Sequence, residues 1–92
     1  MRNYEMVVIL DSALPDAERD SLIGKLKNII EKKGKLQAME IWGKRELAYE
    51  INHRKEGYYA IFNFEAPPET INELKQEIRM NKSYLRELIV RK

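Results

Sequence analysis

A side chain that does chemistry near neutral pH must be a nucleophile, a group that titrates there, or a metal ligand, and this chain is poor in all three. His53 is the sole histidine and stands in a polar turn beside Arg54 and Lys55. The local sequence brings no carboxylate near it, so a surface or RNA-contacting role fits better than general acid–base work. Cysteine is absent, and Ser12, Ser21 and Ser83 belong to no nucleophile motif. The carboxylates are scattered among lysines, as on solvated faces, and no spacing assembles a metal site. Gly24 lies inside a helical pattern while Gly34, Gly43 and Gly57 are far apart, so no glycine-rich phosphate loop is formed. The expectation is a protein without catalytic residues, metal or cofactor.

Binding chemistry is better represented. The net charge of +2 is too small to imply nucleic acid by itself. Its distribution is uneven: the last stretch carries Arg79, Lys82, Arg86, Arg91 and Lys92 against Glu87 alone. Further positive charge gathers at Lys32, Lys33 and Lys35, at Lys44 and Arg45, and at Arg54 and Lys55, whereas Asp16, Glu18 and Asp20 make the first helix acidic at its start. Such asymmetry allows a basic face to meet phosphate, although ordinary solvated charges account for the composition equally well.

The elements that position these groups follow from periodicity. Ninety-two residues make one domain, 1–92, and a 43% hydrophobic content suffices for one core. No signal peptide is apparent, and no stretch nears the roughly 20 apolar residues needed to span a bilayer, which points to a soluble intracellular protein. Residues 2–10 read as a strand, with Tyr4, Met6, Val8 and Leu10 on one face and Val7 and Ile9 on the other. Pro15 suits a helix's first turn, Leu22, Ile23, Leu26, Ile29 and Ile30 form its buried stripe, and Gly34 is expected as a left-handed cap. Residues 36–51 make an unusually long strand with Gly43 at a bulge or bend. A polar turn is expected over 52–57, then a strand over 58–64 rich in aromatic and β-branched residues. Pro67 and Pro68 open a second helix, in which Thr70 and Glu73 have capping-box spacing, and 84–91 form a final strand.

This βαββαβ order gives a ferredoxin-like α+β fold, a four-stranded antiparallel sheet of order 4-1-3-2 with two helices on one face. The opposite face is left bare, yet Val7, Ile9, Tyr59 and Ile61 fall on it. That apolar surplus points to a partner on the open face or an edge. An RNA-recognition module shares the element order, but residues 56–64 begin with an acid and place the bulky Tyr59 where that motif wants a small residue.

The stretch Gly43-Lys44-Arg45-Glu46-Leu47-Ala48-Tyr49-Glu50-Ile51 closely resembles the signature of bacterial small-subunit ribosomal protein number six: Gly, any, basic, polar, Leu, small, Tyr, any, Ile. The opening Arg2-Asn3-Tyr4-Glu5, the Gly57-Tyr58-Tyr59 strand start and the closing Val90-Arg91-Lys92 are also similar to the family. The chain ends at Lys92, whereas some relatives continue into a tail. The resemblance implies a non-enzymatic, cytoplasmic component of the small ribosomal subunit. It would bind the central domain of 16S ribosomal RNA as a heterodimer with small-subunit protein number eighteen, after protein number fifteen has organised the RNA junction.

Within that picture Arg2, Arg79, Lys82, Arg86, Arg91 and Lys92 form the expected RNA-binding set, contacting mainly phosphates. Ile9, Lys44, Arg45, Leu47, Tyr49 and Ile51, with Arg54 and Lys55 at one end, form the expected surface for the protein partner. Leu47 and Tyr49 have a second reading, as locks between the end of the long strand and the core. Two other classes share the topology: a regulatory domain that binds an amino acid as a homodimer, and an acylphosphatase-like hydrolase. The hydrolase would need an anion-binding arginine in the first loop, where this chain has Asp11-Ser12-Ala13-Leu14-Pro15-Asp16.

Overall fold

The computed structural model describes residues 1–51 and 53–92, except for the side chain of Arg54. Its elements are β1 (Arg2–Asp11), α1 (Asp16–Lys33), β2 (Lys35–Ile51), β3 (Arg54–Ala66), α2 (Pro68–Met80) and β4 (Tyr84–Arg91). The strands pair antiparallel in the order β2-β3-β1-β4, which is the expected 4-1-3-2 read from the other edge.

Alternation along the central strands builds the core. Met6, Val8 and Leu10 of β1 and Phe62 and Phe64 of β3 are fully buried together with Leu26 and Ile30 of α1 and Leu74 of α2. Each such side chain stabilises the fold by about 1.5–3 kcal/mol relative to exposure. Tyr84 closes the core at the start of β4, where its O–H donates to the Leu22 carbonyl at 3.1 Å. Burial, and secondarily the charge of Glu77, pushes the Tyr84 phenol well above the usual tyrosine range.

Three local expectations are corrected. Gly34 is extended (φ −132°, ψ −159°), not left-handed. Its smallness is needed because a Cβ there would run into the Glu65 carbonyl and lie 2.8 Å from Ala66 Cβ. The Thr70 capping box does not form: Thr70 is buried, and Glu73 instead accepts from Lys32 Nζ of α1 at 3.2 Å. The polar turn expected over 52–57 is shorter, because β3 already begins at Arg54. Asn52, part of that turn, lies outside the described residues.

Gly43 does bend β2. It has φ +78°, a left-handed value that suits glycine, and the β2–β3 register shifts between Ile41 and Gly43. A larger slip follows: between the pairs Glu46–Glu56 and Ile51–Arg54, residues 47–50 of β2 stand opposite Lys55 alone.

Candidate functional site

Directly paired residues on neighbouring strands point to the same side, so the register defines rows across the helix-free face. One row runs Gly43, Tyr59, Ile9, Arg86; the next runs Glu40, Ile61, Val7, Leu88; a third runs Ala38, Asn63, Glu5, Val90. The open face is therefore apolar in the middle, with Arg86 on its β4 side.

The surplus of β2 residues shapes this face into a cleft. The bulged segment contributes Leu47, Ala48, Tyr49 and Ile51, which with Val7, Ile9, Tyr59, Arg86, Glu87 and Leu88 line a cavity of about 270 Å³. Gly57 makes the approach possible, since a Cβ there would collide with Ile9 Cγ2 and lie 3.3 Å from Leu47 Cδ2. Ile9 is only 8% exposed as a result, although no helix covers it. Across the cleft the Arg86 guanidinium donates to the Tyr49 hydroxyl and lies 5.7 Å from its ring centroid.

The expected partner residues thus divide. Leu47, Tyr49 and Ile51 line the cleft with Ile9, and Tyr49 is 59% exposed. Lys44 and Arg45 are exposed further back on β2, and exposed Lys55 borders the outer side of the bulge with Glu46 and Glu50. The side chain of Arg54 lies outside the described residues.

The expected RNA set runs along the β4 side in two groups. Arg2, Arg91 and Lys92 are exposed at one end, where the Lys92 backbone N–H donates to the Asn3 carbonyl at 2.8 Å and its Nζ donates to Asn63. Arg79 and Lys82 are exposed at the other end, around the α2–β4 turn. Arg86 lies on the open face itself and joins the RNA set to the partner set through Tyr49.

Sequence reasoning missed Trp42. It is the residue around which β2 changes register, and its indole stacks on Tyr59 with ring centroids 6.2 Å apart and planes 19° from parallel. Arg45 lies 5.9 Å from the same ring, and Trp42 Nε1 donates to Glu40 Oε2 at 3.2 Å. A lone tryptophan next to a strand glycine was the available signal. Among the described residues no group of acids or histidines is arranged to hold a metal ion, and no helix is long and apolar enough to cross a membrane.

A helix-backed antiparallel sheet whose other face bears an apolar cleft with an arginine across it defines a ferredoxin-like binding protein. The family model for ribosomal protein S6 matches residues 3–91. A small ribosomal subunit protein bS6 from Caldanaerobacter subterraneus subsp. tengcongensis is 41% identical over 92 residues, covering 99% of this chain and 97% of the relative. Another bS6, from Alkaliphilus oremlandii, is 38% identical and covers the same shares. The crystal structure of 30S ribosomal protein S6 from Thermotoga maritima superposes with a TM-score of 0.93 at 32% identity, covering 99% of this chain and 87% of that one. This chain belongs to the ribosomal protein S6 family. It is accordingly a structural protein of the small ribosomal subunit, cytoplasmic and associated with ribosomal RNA, and not an enzyme.

Proposed function

We propose that this chain enters the small subunit as one half of a heterodimer with small-subunit protein number eighteen, and that the pair binds the central domain of 16S ribosomal RNA. The observation that carries the reading is the cleft. Leu47, Tyr49 and Ile51 are held over Val7 and Ile9 by a four-against-one bulge, with Leu88 on the far side. Tyr49 and Leu88 are each 59% exposed there, and a concave apolar surface of this kind is stabilised by filling it with a partner's side chains.

RNA contact falls to Arg2, Arg79, Lys82, Arg86, Arg91 and Lys92, which act on phosphates from the β4 side. With so small a net charge, the chain alone binds RNA weakly, and joining two cationic surfaces raises affinity by making the second contact intramolecular. Protein number fifteen acts earlier, by organising the RNA junction that the pair then meets. Isothermal titration of the chain with protein number eighteen tests the protein contact. Tyr49→Ala and Leu88→Ala are expected to weaken the complex by about tenfold each, on the scale of one buried interface anchor. Wild-type affinity in both variants would remove the cleft from the interface.

A further inference from the structure

Trp42 is the chain's only tryptophan, and it is 49% exposed on the open sheet face. Its indole is stacked on Tyr59, and Tyr59 also lines the cleft. The ring is therefore held in place at the edge of the region where the proposed partner docks. Tryptophan in such a position is among the strongest anchors of protein interfaces when a partner covers it.

The charges around it select the partner's chemistry. Glu40 accepts from the indole N–H through one carboxylate oxygen, in the same row of the face as Ile61, Val7 and Leu88. Glu5 occupies the next row, between Asn63 and Val90. Neither carboxylate makes an ion pair among the described residues. A phosphate backbone laid over this face would be repelled by both, whereas a polypeptide that buries them must bring cations or leave a charge unpaired at high cost.

We infer that the open face receives a basic polypeptide segment, and that Trp42 and Glu40 together hold one arginine of it. The guanidinium lies on the exposed indole and donates to the Glu40 carboxylate, combining a cation–π contact with a charge-assisted hydrogen bond. Arg45 supports the geometry: its own guanidinium already sits 5.9 Å from the Trp42 ring centroid in the isolated chain. Being exposed, Arg45 can swing aside and yield the place to the incoming residue. This site rests on the reading that the face docks a protein, and names what that protein must present.

Because Trp42 is unique, its fluorescence reports the site directly. The full chain is titrated with small-subunit protein number eighteen and, separately, with a central-domain RNA fragment, subtracting the signal of a Trp42→Leu chain. A blue shift and protection from acrylamide quenching are expected with the protein and not with RNA alone. By calorimetry, Glu40→Gln and Trp42→Leu should each weaken the protein complex about tenfold. Wild-type affinity in both Glu40→Gln and Trp42→Leu, with Tyr49→Ala still defective, would keep the docking reading and overturn this site. A Trp42 shift with RNA alone would assign the face to nucleic acid instead. Absence of any complex with the wild-type chain would overturn the docking reading and this site with it.

Discussion

Single residues decide how closely the layers approach. Gly24 and Gly57 are opposite cases. Apart from the backbone of α1 itself, nothing lies within 4 Å of where a Gly24 Cβ would sit, so Gly24→Ala in α1 should stabilise the protein by about 0.5–1 kcal/mol through backbone entropy, read as a raised melting temperature. At Gly57 the added methyl meets Ile9, a branched side chain with little room to retreat, and Gly57→Ala should cost about 1–3 kcal/mol in denaturant unfolding. Tyr84 adds a pH signature. Its phenol titrates higher in the folded than in the unfolded chain, so its contribution is complete below the unfolded value near 10 and is lost as pH rises above it. Tyr84→Phe should lower stability at pH 7 by about 1 kcal/mol, by deleting the hydrogen bond to Leu22, and should flatten the fall above pH 10. An unchanged alkaline slope in urea unfolding would place that fall elsewhere.

At the scale of elements, β2 supplies Leu47, Ala48, Tyr49 and Ile51 to the cleft and is only partly legible in the sequence. The helices, β1 and β4 declare themselves through their apolar spacing. Gly43 marks the bend because strand glycines with a left-handed backbone do so. The slip at residues 47–50 is invisible to a periodic reading, since Leu47, Tyr49 and Ile51 alternate as in an ordinary strand. The face of Trp42 depends on the register change at that very residue, so counting by twos from Ile41 gives no reliable side for it. The start of β3 is hidden for another reason: Arg54, Lys55 and Glu56 have no apolar member to betray a strand. Gly34 misleads because a helix-ending glycine usually signals a left-handed cap, whereas here it clears the backbone of β3. Of the two readings of Leu47 and Tyr49, the core lock suits Leu47, which is half-buried against the cleft, better than Tyr49, which is 59% exposed. Tyr49→Ala should therefore change stability by less than about 1 kcal/mol, because a mostly exposed ring has little burial to lose. A loss of several kcal/mol in chemical denaturation would return Tyr49 to a structural role.

At the scale of the whole molecule the sheet separates the two expected sets of residues. The cleft and Trp42 occupy the face between β2 and β4, and the expected RNA cations lie along the β4 side, with Arg86 at the boundary. Arg86→Glu and Arg91→Glu should each reduce the slope of log affinity against log salt by roughly 0.7–0.9 for every phosphate that is no longer neutralised. The family explains why so small a domain needs no catalytic apparatus: its work is to present surfaces. The most direct test is a binding titration of a central-domain 16S RNA fragment with this chain alone, with small-subunit protein number eighteen alone, and with both. The pair should bind at least roughly tenfold more tightly than either protein by itself. Binding by this chain alone as tight as by the pair would contradict the account.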